Sequence, residues 1–217
     1  MSELYRVNPS HPSLPPELLE LMTMVDTATI GHIEHLGFVG DDIYPVFPSW
    51  AVGPALTVAA PGRDGTIIYK AIDLIRPGDI LVISRVDRDD VACVGGGVAL
   101  AAKAKGAKAI IIDGPCTDHE EIIETGLPVW CRGKSSRTTN RKFQIGGSIN
   151  VPIACGAAAV LPGYAVLADN EGVFVAEPQE MKQLCEAACF RQERSAKIRA
   201  HLAAGRSIFD FNPEANP

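Results

Sequence analysis

Between residues 80 and 131 the chain alternates short, unbroken apolar runs with segments of helical spacing. ILVIS at 80–84 and AIIID at 109–113 are short and rich in β-branched residues, so both read as buried strands. Between them, Val98–Lys105 (VALAAKAK) has an apolar face made mostly of alanine, which predicts a helix packed closely on a sheet. Glu120–Glu124 (EEIIE) opens a further helix that should stop at Gly126, and Val129–Cys131 reads as a third strand. Strand and helix in alternation predict an α/β arrangement with parallel pairing.

The flanks differ. Upstream, Ala51–Ala59 reads as a strand with a bend or an edge at Gly53-Pro54, and Tyr69–Leu74 as a short helix ending at Arg76-Pro77-Gly78-Asp79. A helix over Glu17–Met24 restarts after Asp26-Thr27, where either residue can cap it. Pro9, Pro12, Pro15 and Pro16 mark the first sixteen residues as an arm or cap rather than a core element. Downstream, Ile149–Ile153, Ala165–Ala168 and Val173–Ala176 are short strands separated by turn residues, a hairpin-rich sheet packed on the first. Pro178–Gly205 reads as one long polar, alanine-rich helix between a proline and a glycine. With no repeat and no low-complexity linker, the expected organisation is one domain over 23–211. An N-terminal arm and helix start occupy 1–22, and a tail occupies 212–217.

Composition narrows the classes. The 217 residues are 47% apolar and 21% charged, as in an ordinary globular protein, and only 6% aromatic, so Ala, Val, Ile and Leu must do most of the packing. A formal charge of −6 with no basic patch argues against a nucleic-acid partner. No apolar span of about eighteen residues and no leader pattern is visible, so neither a membrane nor a secretory route is expected. Six cysteines without a CxxC pair, several in apolar runs, predict reduced, buried thiols and a cytoplasmic location. Cys116 stands apart because it lies two residues from Asp118.

Candidate chemistry gathers in one arc: Gly95-Gly96-Gly97, the helix through Gly106, the strand 109–113, and Gly114-Pro115-Cys116-Thr117-Asp118. The glycines let the backbone approach a ligand, and the following helix offers free N–H groups to an anion. An acid just past a buried strand is well placed to hold a metal or a proton. A metal-assisted reaction on a small carboxylate is one reading, and Asp118 merely capping the next helix is the other. Other motifs fail. The spacing GxGxxG requires glycine where Leu100 stands, and Gly133-Lys134-Ser135 lacks the Walker glycine because Pro128 is there. His32 and His35 lie a turn apart with nothing clustered around them, His11 falls in the proline-rich arm, and His201 sits near the end of the last helix. His119, beside Asp118, is the histidine to consider as a proton shuttle.

Several landmarks in this order resemble the RraA-like family: Gly53-Pro54-Ala55-Leu56-Thr57-Val58, Pro77-Gly78-Asp79, the Gly95-to-Gly106 loop and helix, Ile111-Ile112-Asp113-Gly114, Thr117-Asp118, Gly147-Ser148-Ile149-Asn150-Val151-Pro152-Ile153, Leu161-Pro162-Gly163, and Ala168-Asp169-Asn170-Glu171-Gly172-Val173. That family includes class II 4-hydroxy-4-methyl-2-oxoglutarate/4-carboxy-4-hydroxy-2-oxoadipate aldolases and RraA regulators of ribonuclease E. The resemblance implies an αββα sandwich assembled as a homotrimer or hexamer, with sites between subunits.

For an aldolase it also implies Mg²⁺ or Mn²⁺ on Asp118 and a substrate carboxylate held by the loop Gly95, Gly96, Gly97 and Val98. A glutamate from the C-terminal helix of a neighbouring subunit would complete the site, and Glu193 is the nearest match. Two family positions depart from this pattern: Thr117 stands where the aldolases carry a substrate-binding arginine, and Gly96 where they carry an acid. Threonine offers one neutral hydroxyl in place of a charged, bidentate clamp. Arg132, Arg137 or Arg141 in the following loop is the candidate replacement, with Arg132 taken first. The expected function is a metal-dependent lyase, of aldolase or decarboxylase type, acting on a small oxo- or hydroxy-carboxylate. A non-catalytic regulator that binds a protein partner is the alternative, and a hydrolase or isomerase of a carboxylated metabolite the third possibility.

Overall fold

The computed structural model describes residues 4–87, 89–142 and 144–212. Its central strands obey the two-residue period of a sheet with both faces covered. In β4 (Ile80–Arg85), Leu81 and Ile83 enter one core while Ile80 and Val82 enter another. β5 (Ala109–Asp113) repeats the pattern with Ile110 and Ile112 against Ala109 and Ile111. β10 (Ala165–Ala168) and β11 (Val173–Ala176) send Val166, Ala168, Val173 and Val175 into that second core, and Leu167 and Phe174 into a third.

Three cores require four layers. On one outside lie α3 (Thr66–Ile72), α4 (Gly96–Ala104) and α5 (His119–Thr125). On the other lie α1 (Pro16–Met22), α2 (Thr27–Gly31) and the long α6 (Pro178–Ala203). Between them is the mixed sheet, in the order β1 (Tyr5–Val7), β7 (Gly147–Ile149), β3 (Ala51–Ala60), β4, β5, β6 (Val129–Cys131), β2 (Tyr44–Pro45). Strands β3 to β6 run parallel. The architecture is the α/β sandwich the sequence predicts.

β3 joins the two inner layers. Residues 51–54 pair antiparallel with β10, and residues 55–60 pair parallel with β4, so the strand changes partners at Gly53-Pro54. Position 53 admits no side chain, because a Cβ there would lie 2.4 Å from the Gly78 carbonyl oxygen. α3 starts one turn before the expected Tyr69, because Asp64 Oδ1 accepts from the Thr66 N–H at 3.1 Å and its hydroxyl at 2.5 Å.

The expected strand Ile149–Ile153 is instead divided. β7 ends at Ile149, Asn150 takes a left-handed φ of 56°, and β8 (Ile153–Cys155) turns away to pair with β9 (Ala158–Val160). The proline-rich N-terminal stretch is more than an arm: β1 pairs in parallel with β7, and His11 and Leu14 are buried.

Candidate active site

The C-terminal ends of β4 and β5 deliver the glycine loop and the Thr117-Asp118 turn side by side. Short parallel bridges link Val94 to Cys116, Cys116 to Lys134, and Ala92 to Thr138, and the Thr117 N–H donates to the Val94 carbonyl at 2.9 Å. A side chain at position 95 would collide with this turn, its Cβ falling 2.5 Å from Asp118 Oδ2 and 2.7 Å from Thr117 Cγ2. Glycine there lets the Asp118 carboxylate lie directly over the start of α4. The N–H groups of Gly96, Gly97 and Val98, in the first turn of α4, have no partner within the helix.

Asp118 occupies the N-cap position of α5 without capping it. Its backbone is left-handed at φ 51°, ψ 46°, and its side chain makes no hydrogen bond to the helix. Helix α5 starts instead on the Asp118 carbonyl, which accepts from the Ile122 N–H at 3.0 Å. Oδ1 accepts a 3.1 Å hydrogen bond from the Thr117 hydroxyl. A non-glycine residue in this region is strained, and the strain here turns an exposed carboxylate away from its own helix. The capping reading of Asp118 is therefore not what the structure shows.

The carboxylate faces a cavity of about 220 Å³, lined also by Tyr69, Cys93, Gly95, Gly97, Val98, Thr117, Thr139 and Arg141. Arg141 lies over the Tyr69 ring, its guanidinium carbon 5.2 Å from the centroid, and forms no ion pair among the described residues. The other two loop arginines are committed elsewhere. Arg132 pairs with Asp42 and, at 2.5 Å, with the buried Asp113, on the wall of a neighbouring cavity. Arg137 pairs with Asp90. Arg132 is thus not brought to the Asp118 cavity, whereas Arg141 is.

The loop carrying Arg141 is fixed by Asp64. Burial alone would raise this carboxyl. Hydrogen bonds from the Thr66 hydroxyl and from the N–H groups of Gln144, Thr66 and Ile145 outweigh it and bring the pKa down to about 2. The Gly65 N–H donates to the Asn140 carbonyl at 2.7 Å, tying the same loop to the start of α3.

The remaining candidates fall outside the cavity. His119 opens α5 with Nε2 buried and unpartnered. Burial and the nearby Lys134 push its pKa down, and a hydrogen bond to the Gly133 carbonyl opposes them only partly, so the ring is neutral near pH 7. Beside Gly96, the space a side chain would fill is taken by Glu121, whose Oε2 lies 2.1 Å from an ideal Cβ. Glu193 is exposed on α6, which packs against α1, α2 and β11, so one chain does not bring it to Asp118. Cys116 is fully buried, and its hydrogen bond to Cys131 together with burial raises its pKa, leaving an inert thiol. Sequence reasoning did not single out Asp64 or Glu121, and it placed Arg132 ahead of Arg141.

A profile described as Aldolase/RraA matches residues 25–175. A Halalkalibacterium halodurans protein provisionally named a 4-hydroxy-4-methyl-2-oxoglutarate aldolase is 35% identical over 124 residues, which are 57% of this chain and 58% of that protein. The chain thus spans less than two thirds of that relative. The crystal structure of Streptomyces coelicolor RraAS2, an unusual member of the RNase ES inhibitor RraA protein family, superposes with a TM-score of 0.76 at 23% identity, covering 88% of this chain and 99% of that one. An uncharacterised protein from Pseudomonas syringae superposes with a TM-score of 0.77 at 22% identity, over 91% and 97% of the two chains. Both likenesses concern the fold. With the matched profile covering most of the chain, this protein belongs to the RraA-like (Aldolase/RraA) family.

Proposed function

We propose that this chain is a divalent-metal-dependent lyase, of aldolase or decarboxylase type, acting on a small oxo- or hydroxy-carboxylate at the Asp118 cavity. One observation carries the reading. Asp118 is held in a left-handed conformation that withdraws its carboxylate from helix capping and aims it into a cavity shared with the start of α4 and Arg141. No cluster of three or more His, Cys, Asp or Glu side chains able to hold a metal occurs among the described residues. A lone exposed carboxylate does not suit zinc, which takes three or four protein ligands. It does suit Mg²⁺ or Mn²⁺, which keep most of their water and need only one or two carboxylates. Such an ion on Asp118 would supply Lewis-acid polarisation of the substrate's oxo and carboxylate oxygens.

The chain's own groups have separate duties in this reading. The N–H groups of Gly97 and Val98 bind the substrate carboxylate. Arg141 offers the fixed positive charge that Thr117 does not, and the Tyr69 ring holds its guanidinium in place. The Thr117 hydroxyl orients the Asp118 carboxylate. Glu193 enters only from a second copy, in a homotrimer or hexamer, and would there move the proton that the enclosed Nε2 of His119 is poorly placed to carry.

The test is a screen of oxaloacetate and 4-hydroxy-2-oxo acids with Mg²⁺ or Mn²⁺, beside Mn²⁺ binding followed by electron paramagnetic resonance. Turnover that needs the metal, and that disappears with Mn²⁺ binding in Asp118→Asn, is the expected result. Turnover indifferent to EDTA and to Asp118→Asn would sink the mechanism. A second reading, a regulatory protein with a protein partner, is favoured by Glu121 filling the space at Gly96 and by the neutral Thr117. Absence of turnover together with a stable partner co-purified from the native cell would put it in place of the first.

A further inference from the structure

On the outer layer opposite the Asp118 cavity, α1 and α6 pack side by side, and a cleft of about 290 Å³ opens between them. Its floor is apolar, formed by Leu18, Leu21 and the half-exposed Met24. Its rim is acidic, with Glu17 and Glu20 from α1, Glu186 from α6, and Lys182 as the only lining cation. Glu17 and Glu20 form no ion pair among the described residues, and Glu186 reaches only Lys182, at 3.9 Å.

One turn beyond Glu186, on the same face of α6, stands Phe190, 73% exposed. Cations follow it. Residues 191–199 contain Arg191, Arg194, Lys197 and Arg199 against Glu193 alone, in a chain whose formal charge is −6. None of those four cations pairs with an acid among the described residues. The surface thus carries unpaired acids around a hole and unpaired bases around a knob.

A single exposed phenylalanine is ordinary by itself. Here the cleft beside it matches it in size and in charge. A cavity of about 150 Å³ already holds a benzene ring, so this one has room for a phenyl group and its stem. Knob and hole lie about one turn apart on one helix. A two-fold axis between them seats the Phe190 of each copy in the cleft of the other, with the two α6 helices antiparallel. The cations following each Phe190 then meet the unpaired Glu17 and Glu20 of the facing copy, once on each side of the axis. A different partner would satisfy one half of this pattern and leave the other half unpaired. We propose that this face is a two-fold contact between copies of the chain, anchored by Phe190 and paired by Glu17 and Glu20 with Arg191 and Arg194. It does not rest on the reading of the Asp118 cavity. Closed alone the contact gives a dimer, and added to a three-fold ring it gives a hexamer, so its signature in either case is a doubling of mass.

Sedimentation equilibrium of the full chain tests this. The mass should double as concentration rises through the micromolar range, and raised salt should move the doubling to higher concentration. Phe190→Asp should raise the dissociation constant at least about tenfold and leave the urea midpoint alone, since the side chain it replaces is exposed. Charge reversal gives the sharper result. The double variant Glu17→Arg, Glu20→Arg makes cleft and knob both cationic, and Arg191→Glu, Arg194→Glu makes both anionic, so neither should double alone. Mixed in equal amounts they should, because each cleft again faces a knob of opposite charge. The proposal is overturned if the mass of the unaltered chain does not double, or if Phe190→Asp doubles as readily. It is overturned equally if the equimolar mixture keeps the mass of its separate components.

Discussion

Asp64 secures one wall of the Asp118 cavity, and Asp118 forms the other, yet the two carboxylates live in opposite surroundings. Asp64 is buried and takes four hydrogen bonds, three of them from backbone N–H groups, which tie the start of α3 to the loop after Asn140. Asp118 is exposed, accepts one hydroxyl, and stands at a helix start that it does not cap. The same functional group is a structural anchor where donors converge on it and a chemical resource where they do not. That difference can be attacked from both sides.

The largest effect should fall on activity at Asp118. Asp118→Asn keeps size and shape and removes the charge, so turnover is expected to drop at least about 100-fold, equivalent to about 2.7 kcal/mol of barrier. Stability should stay within about 0.5 kcal/mol, because no buried partner is lost. Urea unfolding alongside steady-state kinetics checks both halves, and a large stability loss would erase the contrast with Asp64.

Asp64→Asn should show the reverse. An amide turns two hydrogens towards a site built entirely of donors, and the loss is expected to be about 1–3 kcal/mol in urea unfolding. The pH dependence has a definite sign. The folded pKa, about 2, lies below the ordinary 3.8, so the unfolded chain binds more protons in that interval. The stabilisation is complete above about pH 4 and is lost as pH falls towards 2, and the acid limb of the wild type should flatten in the variant.

The loop arginines offer a finer version of the same comparison. Arg141→Gln should raise KM about tenfold, near 1.4 kcal/mol, and change kcat less, as loss of a binding charge predicts. Arg132→Gln should instead lower stability, since it leaves the buried Asp113 short of a partner, and leave KM alone. A KM effect from Arg132 and none from Arg141 would reverse the assignment.

How much of this the sequence carried follows from the range of the forces involved. β5, β6, β10 and β11 were legible to the residue, because local apolar runs mark strands whose faces are both buried. β1 and β2 are exposed or half-exposed along their length, so no apolar run marks them, and they exist through pairing with the distant β7 and β6. The break at Asn150 was hidden for the same reason, since its backbone N–H bonds to Thr57 and its side chain to Asn8. At the site, the glycine loop and Thr117-Asp118 were legible as a local cluster. Choosing among three arginines was not, because Asp42, Asp90 and Asp113 decide it and lie far away in sequence. Asp64 escaped notice because two of its donors, the N–H groups of Gln144 and Ile145, come from some eighty residues on.

The smallest effect belongs to His119, whose place beside Asp118 suggests more chemistry than its environment allows. Burial and Lys134 lower its pKa below the ordinary 6.5, and its position at the start of α5 adds further disfavour to a positive ring. The unfolded chain therefore takes up the proton first as pH falls. The neutral ring's contribution is whole well above pH 6.5 and declines as pH drops through that value. His119→Asn can retain a donor for the Gly133 carbonyl while removing the titration. Its urea midpoint should match the wild type's dependence at pH 8 and lack the wild type's decline between pH 7 and pH 5. Turnover at pH 8 should be nearly unchanged, because a neutral histidine outside the cavity lining neither charges nor touches the substrate. A fall in turnover as large as that of Asp118→Asn, with stability intact, would place His119 in the chemistry after all and make Asp118 one member of a pair rather than the lone uncommitted group.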